Sequence, residues 1–113
     1  MGKTPENSRI YILGAGFAGR AIARDIREKS ALGSIVAFLD DDPVKIGRRI
    51  EGVPVLGPIR DVAMLLARTP ADEAIIAIPS ASRDLLRELY FLLKQAGFSR
   101  IRIVPDIAQV IEG

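Results

Sequence analysis

Three glycines at the spacing G-x-G-x-x-G, namely Gly14, Gly16 and Gly19, follow a run of strand-forming residues and open a helical pattern. In this setting the first glycine turns the chain, the second lets a phosphate approach the backbone, and the third lets the helix pack closely on the strand. The first amides of that helix, at Phe17 and Ala18, have no intrahelical acceptor and favour an anion. The spacing therefore predicts a phosphate-binding turn. The alternative is a glycine-rich turn that binds nothing.

A cluster of acids follows the second apolar run. Asp40 lies about 20 residues beyond Gly19, where a dinucleotide-binding fold places the acid that hydrogen-bonds ribose hydroxyls, and Asp41 stands beside it. A carboxylate here favours NAD or another unphosphorylated nucleotide over NADP, because it repels a 2′-phosphate. Arg48 and Arg49 would offset that preference if their loop folded back over the site. The alternative is that the acids only shape a turn and cap a helix.

A third group of candidate ligand contacts follows a later apolar run. Pro79 ends the run, Ser80 stands next to it, and Arg83 begins a helix, where its guanidinium could bind a second phosphate in a bidentate manner. The alternative for Ser80 is a helix cap, and for Arg83 an ordinary exposed arginine. We therefore include Pro79, Ser80 and Arg83 among the predicted binding residues.

No catalytic set is predicted. The chain has no His and no Cys, which removes the usual zinc ligands, thiol nucleophiles and the commonest general base. Tyr90 and Lys94 have the Tyr-x-x-x-Lys spacing of short-chain dehydrogenases, but Tyr90 is expected on the same helix face as Leu86 and Leu93, packed on a sheet. We predict neither catalytic residues nor a metal site.

The elements that must position these residues alternate between strand and helix patterns. Such alternation predicts an α/β fold with a doubly wound sheet of five parallel strands in the order 3-2-1-4-5. The order reverses beside the first strand, and all three predicted binding groups follow strand ends there. Strands are predicted over Arg9–Leu13, Ser34–Leu39, Val53–Leu56, Glu73–Ile78 and Arg100–Val104, and helices over Ala18–Lys29, Ile59–Arg68, Arg83–Ala96 and a short tail after Pro105.

Length and composition indicate one ordinary domain. The 113 residues carry a net charge of +2, without a basic patch that would favour nucleic acid. No apolar run approaches the length of a membrane span, so we expect no direct membrane insertion and a cytoplasmic location. Met1–Ser8 is expected to be a flexible leader to a single domain over residues 9–113. The glycine-rich segment Val44–Gly57 is predicted to gate the site or contact a partner, with a plain surface loop as the alternative.

Taken together, the motifs GAGFAG, DDDPVKIGRRIEGVPVLG and IAIPSASR resemble the Rossmann-like domain of polysaccharide-biosynthesis nucleoside-diphosphate-sugar epimerases/dehydratases. Members of that family place this domain between transmembrane helices and a short-chain-dehydrogenase domain that carries out the reaction with its own NAD(P). The resemblance covers about Arg9 to Asp106.

The resemblance implies a non-catalytic module that binds NAD, NADP or another nucleotide such as a nucleotide-sugar, in a larger protein at the cytoplasmic face of the inner membrane. The parent would be a nucleoside-diphosphate-sugar 4,6-dehydratase or epimerase. One alternative is a structural module with an empty crevice that forms homo-oligomers. Another is the equivalent domain of a membrane sugar-phosphate transferase or a sugar acyltransferase.

Overall fold

In the computed structural model, which describes residues 8–29 and 33–104, strands and helices alternate around one six-stranded sheet. The strands are β1 (Arg9–Leu13), β2 (Ser34–Leu39), β3 (Arg49–Ile50), β4 (Val53–Gly57), β5 (Glu73–Ile76) and β6 (Arg100–Ile103). The helices are α1 (Phe17–Lys29), α2 (Val62–Arg68), which a 3-10 turn at Ile59–Asp61 precedes, and α3 (Arg83–Ala96). None of these helices is long and apolar enough to cross a membrane.

The sheet order is β3-β4-β2-β1-β5-β6, and β1 lies between two parallel neighbours, β2 and β5. The five long strands are parallel in the predicted order, so the predicted fold class is confirmed. The strand count was one too low. The missing strand, β3, pairs antiparallel with β4 and has only two residues, too few to show an alternating pattern.

A tight hairpin joins β3 to β4 within the segment that was predicted to be irregular. Its two turn residues, Glu51 and Gly52, have φ values of 54° and 76°. Positive φ at both positions is typical of the type I′ turn, whose twist matches that of paired strands. Val44–Gly57 is therefore a turn followed by a hairpin.

Side chains of β1 alternate between two apolar layers, one on each face of the sheet. Tyr11 and Leu13 face α2 and α3, whereas Ile10 and Ile12 face α1. All four side chains are buried, and each aliphatic one stabilises the fold by about 1.5–3 kcal/mol. The Tyr11 hydroxyl donates to the Thr69 carbonyl at 2.6 Å, and burial raises its pKa against the opposing charge of Arg9. The central strand is thus fixed from both sides, together with the turn that follows it.

The ends of α3 agree with the sequence. The Ser82 hydroxyl accepts a hydrogen bond from the Leu85 amide at 3.1 Å, and Gly97 ends the helix with φ 113°. The predicted tail after Pro105, and the predicted leader up to residue 7, lie outside the described residues. Ser8 is buried, and its carbonyl accepts a hydrogen bond from the Ser34 amide at 2.9 Å.

Candidate functional site

At two of the three motif glycines, the turn after β1 packs so closely against backbone atoms that no side chain would fit. Gly14 has φ 103°, and a Cβ on it would lie 2.6 Å from the Ala77 carbonyl oxygen. Its amide donates to the Leu39 carbonyl at 2.8 Å. A Cβ on Gly19 would overlap the Gly14 carbonyl oxygen. Both glycines therefore permit close packing, which brings α1 onto the end of β1.

The amides of Gly16, Phe17 and Ala18 have no acceptor among residues 8–29 and 33–104. They belong to the N-terminal end of α1, where the first intrahelical bond runs from the Arg20 amide to the Gly16 carbonyl at 3.0 Å. Apart from Gly16 and its two chain neighbours, no described heavy atom lies within 4 Å of the place where a Gly16 Cβ would stand. The turn thus presents unpaired donors to open space, with the positive end of the helix dipole behind them.

A cleft of about 640 Å³ opens at the carboxyl ends of β1, β2, β4 and β5, and Gly16, Phe17 and Ala18 line it. Its volume is in the range of small-molecule and cofactor sites. Eight of the ten predicted binding residues line it: Gly14, Gly16, Phe17 and Ala18 after β1, Asp40 and Asp41 after β2, and Pro79 and Ser80 after β5. The topology thus brings together the three turns that the sequence identified.

Asp40 is tied to the glycine turn. Its Oδ2 accepts a hydrogen bond from the Ala15 amide at 2.8 Å, and its Oδ1 accepts one from the Asp42 amide at 2.9 Å. The Lys45 ammonium lies 3.7 Å from the same Oδ2. Each carboxylate oxygen can accept about two hydrogen bonds, so the group keeps capacity for a ligand hydroxyl. Asp40 therefore fixes the turn and still faces the cleft.

The neighbouring acids shape the backbone, as the alternative interpretation proposed. The Asp41 carboxylate accepts a hydrogen bond from the Ile59 amide at 2.9 Å and so holds the start of the 3-10 turn, although Asp41 also lines the cleft. The Asp42 carboxylate accepts one from the Val44 amide at 2.9 Å. These contacts give the turn after β2 a framework of side-chain-to-backbone bonds.

Several candidates from the sequence lie outside the cleft lining. Gly19 is buried against the Gly14 carbonyl, and Arg83 is exposed on the first turn of α3. Arg48 is exposed, whereas the Arg49 guanidinium donates to the Gly52 carbonyl at 3.0 Å within the hairpin. Neither arginine lines the cleft, although Lys45 of the same segment does.

The expectation that Tyr90 packs on the sheet was wrong. Its side chain is 39% exposed, and its ring meets the Phe91 ring edge-on at 6.3 Å. Tyr90 lies at the margin of the apolar stripe that buries Leu93, and it does not line the cleft. Among the described residues, no group of three or more His, Cys, Asp or Glu side chains could hold a metal ion.

Sequence reasoning missed eight further residues of the cleft, among them Ala77 and Ile78 just after β5. Lys45, whose ammonium lies 3.7 Å from Asp40 Oδ2, and Arg60 add positive charge to the lining, and Ile59 lies between β4 and α2. Leu85, Leu89 and Leu92 form the wall on the side of α3. In the sequence these leucines show only the apolar spacing of an amphipathic helix, and the same spacing is typical of a helix face that packs in the core.

Comparisons with known proteins agree with this geometry. A family model described as a CoA-binding domain matches residues 4–105. The chain is 34% identical over 108 residues to the probable polysaccharide biosynthesis protein EpsC of Bacillus subtilis, covering 95% of this chain and 18% of the relative. It is 35% identical over 104 residues to the redox-sensing transcriptional repressor Rex of Chloroflexus aggregans, covering 91% and 47%. The chain therefore spans less than half the length of either relative.

Solved structures show the same fold. UDP-D-quinovosamine 4-dehydrogenase from Vibrio fischeri has a TM-score of 0.80 at 23% identity, covering 95% of this chain and 85% of that one. RSP in complex with beta-NADH has a TM-score of 0.74 at 26% identity, covering 89% and 47%. The resemblance stated from the motifs is confirmed. The chain belongs to the family of CoA-binding domains, as a Rossmann-like domain of the kind found in polysaccharide-biosynthesis proteins.

Proposed function

We propose that this chain is a non-catalytic nucleotide-binding domain of a nucleoside-diphosphate-sugar epimerase/dehydratase. The proposal is carried by the amides of Gly16, Phe17 and Ala18, which have no acceptor among the described residues and belong to residues that line a cleft at the reversal point of the sheet. Three amides at a helix N-terminus suit the pyrophosphate of a nucleotide. The open space beside Gly16 leaves room for that group.

The preferred ligand is NAD(H) rather than NADP(H). With the pyrophosphate on the glycine turn, a ribose lies next to the Asp40 carboxylate, which accepts its hydroxyl and disfavours a 2′-phosphate. Lys45 moderates the charge of Asp40, but Arg48 and Arg49, which could have bound a 2′-phosphate, do not line the cleft. The RSP structure with beta-NADH supports a dinucleotide in a related fold.

The activity of the whole protein is part of the proposal. EpsC, of which the chain covers 18%, supports a role in polysaccharide biosynthesis. In this view a separate short-chain-dehydrogenase domain carries out the dehydration, and transmembrane helices hold this domain at the cytoplasmic face of the inner membrane. The described part of this chain would contribute ligand binding to that assembly.

A second candidate is a redox-sensing module. The 35% identity to Rex, a redox-sensing transcriptional repressor, favours this candidate, which requires the same NAD(H)-binding cleft. The two candidates differ in what the domain controls, and they share the prediction that NAD(H) binds.

Thermal-shift measurements test the proposal. We expect NAD(H) to raise the melting temperature by several degrees, because a ligand at 100 times its Kd stabilises a protein by about 2.7 kcal/mol. NADP(H), UDP-sugars and coenzyme A complete the panel. In Gly16→Val the unliganded melting temperature should stay near that of the wild type, since the added side chain enters open space, and the shift should disappear.

The same panel contains the outcomes that contradict the proposal. No shift with any ligand would favour the structural module with an empty cleft. Turnover of a UDP-sugar by this chain alone would show that it is catalytic. A shift that persists in Gly16→Val would place the ligand elsewhere on the molecule.

A further inference from the structure

A second cavity, of about 290 Å³, lies at the edge of the sheet opposite the cleft. The first residues of β2 and β4 line it, whereas the cleft opens at the carboxyl ends of the same strands. The two cavities share no lining residue. A parallel crossover usually carries a helix, but the chain between β2 and β4, all of which the structure describes, forms a turn and a hairpin instead. The second cavity lies between that hairpin and the second half of α1.

The lining of the second cavity combines an apolar surface with two opposite charges. Side chains of α1, β2 and β4 form the apolar part, namely Ala23, Ile26, Ile35 and Val53. Ile35 and Val53 are only partly buried, so they keep surface for a ligand. Arg27 and Glu51 contribute the charged side chains, and Ser34 contributes a hydroxyl group. Such a lining suits a ligand with one charged group and a compact apolar body.

Three arginines converge on the hairpin turn beside this cavity. The Glu51 carboxylate accepts hydrogen bonds from Arg24 at 2.9 Å and from Arg27 at 3.1 Å. The carbonyl groups of the turn accept two more, from Arg27 at Glu51 and from Arg49 at Gly52, each at 3.0 Å. One carboxylate among three guanidinium groups leaves two positive charges uncompensated in this cluster. The turn is therefore a concentration of positive charge.

These arginines keep donors for a ligand. A guanidinium group has five N–H donors, of which Arg24 uses one and Arg27 uses two within the described structure. Their side chains are 47% and 57% exposed. Glu51 orients both at the cost of backbone strain, because its φ of 54° belongs to a turn position that favours Asn, Asp or Gly. A glycine there would relieve the strain and lose the carboxylate, so the strain accompanies the ordering of two arginines.

We propose that the second cavity binds a small phosphate monoester with a compact apolar body. A phosphate monoester carries about 1.5 to 2 negative charges near neutral pH, which matches the uncompensated charge of the cluster. Its oxygens accept bidentate hydrogen bonds from the Arg27 guanidinium, and Arg24 lies beside it on the same carboxylate. The apolar body lies against Ile35 and Val53. The cavity volume, just below the range of drug-sized ligand sites, limits that body to a group such as a single ring.

Amide NMR spectra of the 113-residue chain, labelled with ¹⁵N, test the inference. The probes are phenyl phosphate, inorganic phosphate and, at equal ionic strength, sodium chloride. We expect phenyl phosphate to shift the amides of Ser34, Ile35 and Val53 saturably. Its Kd should be about tenfold lower than that of inorganic phosphate, because the ring leaves water. Sodium chloride should give no saturable shift.

Two variants assign the two parts of the ligand. Arg27→Gln should raise the Kd of phenyl phosphate at least fivefold, because it removes the guanidinium that lines the cavity. Arg87→Gln is the matched control and should leave the Kd unchanged, since Arg87 is an exposed arginine of α3 with a long ion pair to Asp84 at 3.9 Å. Val53→Thr keeps the side-chain volume and should reduce the advantage of phenyl phosphate over inorganic phosphate at least threefold. Well-dispersed spectra show that each variant remains folded.

The same spectra separate this inference from the proposed function, because the two cavities share no residue. Phenyl phosphate that shifts none of the amides around the second cavity saturably would overturn the inference. Shifts confined to residues 16–18 would also overturn it and would support a phosphate on the glycine turn. Binding that Arg27→Gln leaves unchanged, or a ring that gives no gain over inorganic phosphate, would likewise overturn it.

Discussion

The turn after β1 and the turn after β2 border the same cleft with opposite arrangements of their polar groups. In the first turn the amides of Gly16, Phe17 and Ala18 find no acceptor in the part of the chain that the structure describes. In the second turn the Asp40 and Asp42 carboxylates accept hydrogen bonds from backbone amides, one of them the Ala15 amide of the first turn. The second turn therefore holds the first in place, and the first offers its donors to a ligand.

This difference shows that residue type alone does not reveal whether a polar group is free to bind a ligand. Glycine acts in the first turn through the side chain that it lacks, either because space stays open, as at Gly16, or because a backbone comes close, as at Gly19. Aspartate acts in the second turn mainly through bonds to the backbone. The variants below test this division, beginning with the largest expected effect.

The first test exchanges the two glycines whose environments differ most. In Gly19→Ala the new methyl group would overlap the Gly14 carbonyl oxygen, and a backbone group cannot turn away as a side chain can. We expect a loss of roughly 3 kcal/mol in the free energy of unfolding, the upper end for overpacking. Denaturant unfolding monitored by circular dichroism measures it.

Gly16→Ala is the matched control, since beyond the chain neighbours its methyl group meets no described atom within 4 Å. It should unfold at nearly the same denaturant concentration as the wild type and bind NADH more weakly. If both exchanges destabilised the protein equally, the distinction between a packing glycine and an approach glycine would be wrong.

The second test concerns the carboxylate that joins the two turns. In Asp40→Asn the side chain offers one carbonyl oxygen, so its amide group must face the N–H of either Ala15 or Asp42. An unsatisfied donor in this half-buried position is expected to cost about 2 kcal/mol of folding free energy. Thermal unfolding near neutral pH gives the value.

Asp42→Asn serves as the control for that exchange. The Asp42 Oδ1 accepts one bond from the Val44 amide, which an Asn carbonyl can also accept, so we expect little change in stability. Equal losses in the two variants would mean that negative charge matters in this turn, rather than the number of acceptors.

The fold could be predicted because its signals are local. The runs of β1 and β2 are apolar and bounded by turn residues, and Gly14, Gly16 and Gly19 mark the strand-to-helix junction. The hairpin strand β3 escaped prediction because two residues show no period. Its turn was also hidden, because Glu51 adopts a positive φ that Glu seldom adopts.

The cleft could be predicted on one side only. Turn residues such as Asp40 and Ser80 are chemically distinct and follow strand ends, so topology alone places them together. Leu85 looks like any core leucine in the sequence, and only packing distinguishes a leucine in the core from one that lines a cleft. Lys45 was hidden because its position depends on how the loop folds against Asp40.

The smallest effect is expected at Glu51, in the hairpin beyond the second turn. Its carboxylate binds Arg24 at 2.9 Å and Arg27 at 3.1 Å, and so fastens the hairpin to α1.

Burial raises the pKa of Glu51, but the hydrogen bonds and charges of the two arginines outweigh it, and the pKa is lowered overall. A carboxyl with a lowered pKa in the folded state stabilises the protein above its unfolded pKa, and this contribution is lost as the pH falls through the folded value. We therefore expect Glu51→Gln to lower the melting temperature slightly at pH 7, and the difference from wild type to shrink as the pH falls below the ordinary Glu pKa and to vanish once it is below the lowered pKa of the folded state. Asp25→Asn, which removes an exposed ion pair with Lys29, should change the melting temperature less.

Titration of Glu51→Gln with NADH completes the test. An unchanged Kd is expected if the carboxylates of the second turn hold that turn by themselves. A weakened Kd would show that the contact of Glu51 with α1 sets the geometry of the cleft.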